Sequence, residues 1–290
     1  MIESTQGLYL PTYASREGFK PGVCVGMAIV HIIACLAPWY YTPYSLPLLL
    51  GGWMLTGGIG ISIGYHRLLA HRSFDTFMWL KYLFATFGVL SVQSGPITWV
   101  GSHRLHHRFT DQELDIHTPK AGFLWGHMGW IVFEHPMIAA KPLGTYAADI
   151  AKDPVFQVLD RYYLGINILL GIILLGIGYL CGGMHTALSF LIWGGFLRIV
   201  FTWHCIFSVN SVCHYCGYRN FDLSDDSYNN PLVSLLTFGE GWHNNHHFCP
   251  SSASLSLRPF EIDVAYYFIA LLQKLGLAWN VRVKTRNKST

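Results

Sequence analysis

The chain has 290 residues, of which 52% are hydrophobic and only 12% charged, against about 25% charged in an ordinary soluble domain. That deficit argues for a membrane protein, and a formal net charge of +3 is too small to suggest a nucleic-acid partner. Seven cysteines, at 24, 35, 181, 205, 213, 216 and 249, form no disulfide framework. Most lie in apolar stretches, where cysteine acts as a small hydrophobe. Cys213 and Cys216 make a single Cys-x-x-Cys around His214, weak evidence by itself for redox or zinc chemistry.

Residues 1–20 are mixed and polar, unlike a cleavable signal. No Asp, Glu, Lys or Arg occurs between Lys20 and Arg67, or between Arg161 and Arg198. A membrane-crossing helix needs about 20 apolar residues, so each stretch has room for two. Spans are expected at 22–41 and 46–65, broken by Tyr41-Thr42-Pro43-Tyr44-Ser45, and at 163–181 and 186–207, broken by Cys181-Gly182-Gly183-Met184-His185. The expected fold is all-α and integral to the membrane: four transmembrane helices in two hairpins, with a helical cap. The connecting turns lack Lys and Arg, whereas Arg16, Lys20, Arg67, Arg72, Arg104, Arg108, Arg161 and Arg219 fall on the other side, which the positive-inside rule makes cytoplasmic. A buried or interfacial helix is expected over 77–98, another from Asp153-Pro154, and a third over 260–275, ended by Gly276. No repeat or linker divides the chain, so 1–290 reads as one membrane-embedded domain.

Nine of the fifteen histidines carry the chemistry. They form His66-x-x-x-x-His71, His103-x-x-His106-His107, Asn210-x-x-x-His214 and His243-x-x-His246-His247. Neutral imidazole is the commonest metal ligand, and nine are too many for one ion but suit two. Spacings of three and four place each His-x-x-His-His box on one helical face. Its three rings can feed one metal or divide between two. His66 and His71, five apart, would not align on an ideal straight helix. A site rich in imidazole and poor in thiolate suits a catalytic transition metal better than structural zinc. Isolated histidines such as His31 and His185 read as ordinary polar residues.

Gly64-Tyr65-His66-Arg67-Leu68-Leu69-Ala70-His71-Arg72-Ser73-Phe74, His103-Arg104-Leu105-His106-His107-Arg108-Phe109 with Asp111, Asp115 and His117, Asn210-Ser211-Val212-Cys213-His214, and Gly239-Glu240-Gly241-Trp242-His243-Asn244-Asn245-His246-His247 together resemble the motifs of the membrane fatty acyl desaturases. The resemblance is to the Δ9 branch that includes stearoyl-CoA desaturases, and it covers nearly the whole chain. It implies a di-iron centre with His66, His71, His103, His106, His107, His214, His243, His246 and His247 as ligands and Asn210 acting through water. It also implies that O2 and two electrons from ferredoxin, or from cytochrome b5 with its reductase, place a cis double bond in a saturated acyl chain. Zinc is the expected substitute metal in a recombinant preparation. Gln93, Trp99, Ile206 and Phe207 match positions lining the acyl tunnel. Asp111, Asp115 and Glu240 are placed either to orient ligand histidines or to pair with Arg104 and Arg108. The implied setting is a multi-pass membrane protein with both termini and the metal site on the cytoplasmic side, in a bacterial inner, thylakoid-type or endoplasmic-reticulum membrane.

The chain departs from the family pattern in places. Ile206 and Phe207 replace a Thr and a Trp, which bears on double-bond position. Ser94 and Gly101 stand where CoA-using relatives carry Asn and Arg, and a basic pair is reduced to Lys120-Ala121. Few contacts to the CoA phosphates remain, so an acyl-lipid substrate is favoured over acyl-CoA. His135-Pro136-Met137 is not a haem-binding His-Pro-Gly-Gly, so no fused cytochrome b5 domain is expected. The competing readings are a di-iron lipid hydroxylase and a membrane carrier of haem or metal.

Overall fold

The computed structural model describes residues 18–135, 138 and 141–284. Arg16, both chain ends, and Pro136 and Met137 of the His135-Pro136-Met137 run lie outside them. The described residues are mainly helical, with irregular stretches over 215–230 and 249–263, isolated bridges such as Tyr218 with Asn229, and one antiparallel pair in which Asp75 faces Trp279 and Thr76 faces Ala278.

The expectation of four transmembrane helices is corrected here. Two apolar stretches are long enough to cross a membrane, Ser45–Ala70 and Tyr163–His214. The region expected to span at 22–41 holds a helix of only 14 residues, Pro21–Ala34. At about 1.5 Å per residue it falls short of a hydrocarbon core of about 30 Å. A tight turn over Ala37–Tyr40, with a proline near its start, follows it. The spans expected at 163–181 and 186–207 belong to one continuous stretch of 52 residues. Within it Gly182 and Gly183 leave helical geometry, with φ of 71° at Gly183. The chain doubles back there, bringing Leu174 against Gly194 and Gly195. Ile168, Met184 and Leu180, the last 86% exposed, point outward, as expected of apolar side chains facing lipid.

The helix expected over 77–98 is two helices, Met78–Val89 and Pro96–Phe109. Between them Val92 and Ser94 adopt φ of 56° and 75°, and the loop's carbonyls are claimed from outside. Arg198 Nη1 donates to Leu90 O at 2.7 Å, and Trp203 Nε1 to Ser91 O at 2.9 Å. Arg198 is thus a buried cation held by main-chain oxygens, including Gly194 O at 2.7 Å. The second helix opens on a proline, and the Asp160 carboxylate caps it by accepting from Thr98 N and Thr98 Oγ1. Asp153 caps Pro154–Arg161, and Asp263 caps Val264–Lys274, satisfying free first-turn amides.

Beneath the histidines, Ile61, Tyr65, Phe84, Val89, Val100 and Ile269 form a continuous apolar core. Through it runs Arg67, 1% exposed. Arg67 Nη1 donates to Asp263 Oδ1 at 2.8 Å and to Ala253 O at 2.9 Å, and Arg67 Nη2 lies 3.2 Å from Glu240 Oε1. This cation joins the end of Ser45–Ala70 to the segment before the third histidine box and to the C-terminal helix. Removing one partner of such a pair strands a buried charge, at a cost of about 3–5 kcal/mol. Asp263→Ala is therefore expected to lower the thermal unfolding midpoint sharply in detergent. An unchanged midpoint would show that the pair does not hold these segments together.

Candidate metal centre

Four segments deliver the imidazoles. The first box closes Ser45–Ala70, where His71 N donates to His66 O at 3.0 Å, a five-residue hydrogen bond in place of the usual four. That wider turn brings two side chains five apart onto one side, with ring centroids 4.8 Å apart. The second box lies on Pro96–Phe109, and the third on the short helix His243–Phe248. Asn210 precedes His214 on the helix Arg198–Ser211, and a tight turn over Val212–His214 completes the segment.

The nine rings divide into two adjoining groups. One holds His66, His71, His103, His107 and His246, and the other His106, His214, His243 and His247. Within each group one ligand atom per residue lies within 4.8 Å of all the rest. The two His-x-x-His-His boxes interlock. His103 and His107 enter the first group and His106 the second, whereas His243 and His247 enter the second group and His246 the first. His117, with Asp115 and His106, forms a third cluster beside them.

The nitrogens converge more closely than neutral rings alone would favour. Nε2 contacts run from His71 to His103 at 2.7 Å, His103 to His107 at 3.0 Å, His107 to His246 at 2.9 Å and His246 to His66 at 3.1 Å. His214 and His243 meet at 3.1 Å. Carboxylates sit behind four of the rings. Glu240 lies against His66 Nδ1. His106 Nδ1 lies 2.9 Å from Asp115, His214 Nδ1 3.2 Å from Asp111, and His247 Nδ1 3.1 Å from Asp225. A ring that donates its Nδ1 proton outward presents an Nε2 lone pair inward. His106 Nε2 and His247 Nε2 are buried with no hydrogen-bond partner. Inward lone pairs in a buried space suit a cation, and the donor set fits a pair of transition-metal ions.

Burial keeps most of these rings neutral, the form that binds metal. It holds His71, His103, His107, His243 and His246 well below the ordinary imidazole value, and neighbouring rings add to the effect. Burial also lowers His247 to about 4, against its hydrogen bond to Asp225. His117 falls to about 3 through burial and His106. For His106, burial is outweighed by Asp115 and the value rises. Asp115 and Glu240 stay below the usual carboxylate range despite burial, through His106 in the first case and His66 and Arg67 in the second.

The other sequence-derived positions are scattered. Trp99 stacks on His103 at 5.1 Å, while Gln93 Nε2 is buried without a partner. Ile206 belongs to the core around Tyr65 and Val100, whereas Phe207 packs with Met27, Ile199 and Trp203. The two neighbours thus face different sides of their helix. Arg104 pairs with Asp149, leaving Glu240 to His66 and Arg67. Asp225 had no signal in the sequence beyond an acidic pair in a polar stretch. The Asn244 and Asn245 side chains anchor the third box, through Asn220 N and Glu261 Oε2 respectively.

An apolar helical chain with two imidazole clusters defines a membrane-associated protein with the ligands to bind metal. The fatty acid desaturase family model matches residues 25–271. The sn-1 stearoyl-lipid 9-desaturase of Anabaena variabilis is 45% identical over 81% of this chain and 82% of its own length. The sn-2 palmitoyl-lipid 9-desaturase of Nostoc sp. (strain 36) is 44% identical over 89% and 88%. The icosanoyl-CoA 5-desaturase of Limnanthes douglasii is 37% identical over 90% and 72%. The chain belongs to the fatty acid desaturase family and is an oxidoreductase of that family.

The lowered imidazoles make stability depend on pH in the metal-free protein. Between a ring's folded value and its ordinary value of about 6.5, only the unfolded chain takes up the proton. Stability therefore falls as pH falls through that window. The metal-free unfolding midpoint is expected to drop steadily from about pH 6.5 to pH 4, where His247 protonates in the fold. A midpoint constant over that range would contradict the buried, neutral state of the cluster.

Proposed function

We propose that this chain is an O2-dependent desaturase that introduces a cis double bond at the Δ9 position of a saturated acyl chain esterified to a membrane lipid. The two interlocked imidazole groups carry this reading, supported by likeness to two lipid 9-desaturases. The ligands are His66, His71, His103, His107 and His246 at one iron and His106, His214, His243 and His247 at the other, with Asn210 acting through water. Bound iron would supply the oxygen activation and hydrogen removal that side chains lack.

The chain's own residues hold the frame. Glu240, Asp115, Asp111 and Asp225 fix the tautomers of His66, His106, His214 and His247 by accepting their Nδ1 protons. Trp99, stacked on His103, and Gln93 shape the path of the acyl chain beside the metals, with Ile206 on the core side and Phe207 beyond it. Ferredoxin, or cytochrome b5 with its reductase, supplies two electrons from the cytoplasmic side.

Position 101 favours a lipid head group over CoA. Gly101 lies so close to the Leu143 carbonyl that an added Cβ would collide with main chain. No basic side chain can stand there to meet a phosphate. Lys120 is exposed and lies 3.9 Å from Asp226. A lipid-borne chain needs no such grip, because the bilayer already holds it.

Reconstituted protein with a donor system is expected to desaturate a stearoyl glycerolipid at Δ9, with stearoyl-CoA a poor substrate, as read by mass spectrometry of the product. Saturable use of stearoyl-CoA alone would overturn the head-group assignment, and an alcohol product would overturn desaturation. His106→Ala and His246→Ala should each abolish product and lower metal content below two ions per chain. Asp225→Asn should lower metal affinity or activity by about 10–100-fold, while wild-type values would remove Asp225 from the metal frame.

A further inference from the structure

Three histidines outside the metal centre form a second chain of imidazoles. His31 comes from Pro21–Ala34, His204 from Arg198–Ser211 and His127 from the short helix Phe123–His127. His31 Nδ1 lies 2.7 Å from Met27 O, and His31 Nε2 lies 3.1 Å from His204 Nε2. His204 Nδ1 lies 2.9 Å from His127 Nε2, and His127 Nδ1 lies 2.9 Å from Ser211 Oγ. Ser211 Oγ is also 3.0 Å from Phe207 O. Every ring nitrogen of the trio thus has a partner, and at the far end His127 meets the Phe207 backbone as well as Ser211.

The partners restrict the tautomers. Met27 O can only accept, so His31 Nδ1 carries a proton. With all three rings neutral, His31 Nε2 must accept, so His204 Nε2 donates to it. His204 Nδ1 then accepts from His127 Nε2, and His127 Nδ1 accepts from the Ser211 hydroxyl. With one added proton the line reverses and is equally complete. His31 Nε2 donates to His204 Nε2, His204 Nδ1 to His127 Nε2, His127 Nδ1 to Ser211 Oγ, and Ser211 Oγ–H to Phe207 O. The two states differ by one proton and leave no ring nitrogen unpaired. The carbonyl of Met27 closes one end. The other end is Ser211, directly after Asn210 and three residues before His214.

We propose that His31, His204 and His127 form a one-proton store that loads and unloads through Ser211, the residue after Asn210 in the segment leading to His214. The desaturase reaction supplies the demand, and the inference rests on that reading. A –CH2–CH2– unit becomes –CH=CH– by losing two electrons and two protons. Reducing O2 to two waters takes four of each. The donor protein brings the other two electrons, so two protons must reach a buried site in every turnover. The store supplies one of them. The hydroxyl of Ser211 stays neutral and only changes partner, while the added charge rests on imidazole.

The surroundings suit a relay. The rings packed on the trio, Trp203, Phe207 and Phe123, carry no charge. The titratable groups hydrogen-bonded to each imidazole are its fellow members, His204 for both His31 and His127 and those two for His204, while Cys35 and Tyr41 line the apolar cavity that His31 also borders. Burial and His204 hold His127 below the ordinary imidazole value, which disfavours charge on the ring next to Ser211.

The test has two arms. In the zinc-loaded full chain with 15N-labelled histidine, NMR should show His204 and His127 passing together from Nε2–H to Nδ1–H as the trio takes up one proton. Rings that take up protons independently, or tautomers of His204 and His127 that stay fixed while the trio takes up a proton, would overturn the store. In the iron-loaded enzyme with its donor system, His204→Phe should lower kcat on the order of 100-fold, as loss of a proton-transfer group does. KM should not change, and O2 consumption should shift from alkene toward hydrogen peroxide. Wild-type kcat and coupling in that variant would also overturn the store. If wild-type enzyme makes no alkene, the desaturase reading fails instead, and the NMR arm still decides whether the trio takes up a proton as one unit.

Discussion

The structure depends on one constraint: nine imidazoles share a buried space with lone pairs directed at one another. Neutral rings at 2.7–3.1 Å satisfy only part of that convergence, and His106 Nε2 and His247 Nε2 are left without partners. Protonation is no remedy, because burial and neighbouring rings disfavour charge on most of them. Bound cations resolve the conflict, since each accepts several lone pairs at once. The cluster is therefore a poor core in the metal-free chain and would be a good one with metal bound, which would couple metal binding to folding.

Holding such a cluster calls for a rigid frame of opposite character. Four carboxylates stand behind the rings, and Glu240 and Asp263 share the buried cation Arg67. Asp263 also caps the C-terminal helix by accepting from Tyr266 N, and it accepts from Leu255 N. One aspartate thus fastens three segments that are far apart in sequence. Asp111 takes a left-handed conformation, φ of 58°, so that the chain turns back after the second box. Its carboxylate then reaches His214, while its amide donates to Asp115. The polar frame sits on the apolar core around Tyr65 and Val100, and the outward apolar faces beyond that core seat the molecule in lipid.

The interlocking of the two His-x-x-His-His boxes has a geometric basis. Residues i and i+4 project along nearly one line of a helix, and residue i+3 is rotated to one side. Where two such helices meet, each gives two rings to one group and one ring to the other. Both groups are therefore built from both helices, and neither can form before the helices dock. His71 joins at the end of the wide-turn stretch Met54–Ala70, and His214 through the tight turn after Ser211.

The histidine chemistry was legible in the residues themselves, because box spacing is a local property and the family motifs lie within short runs. The caps at Asp153 and the stop at Gly276 were legible for the same reason. The number of long apolar helices was not. Charge-free runs show that a stretch is apolar, but the proline-led turn after Ala34 and the helical geometry lost at Gly182 and Gly183 decide where a helix ends. The break between Val89 and Pro96 depends on distant donors, Arg198 and Trp203, which no local pattern announces. Asp225 behind His247, the division of each box between two groups, and the line from Met27 to Ser211 were decided by the tertiary structure alone. Each joins residues from separate segments, and only packing sets those distances.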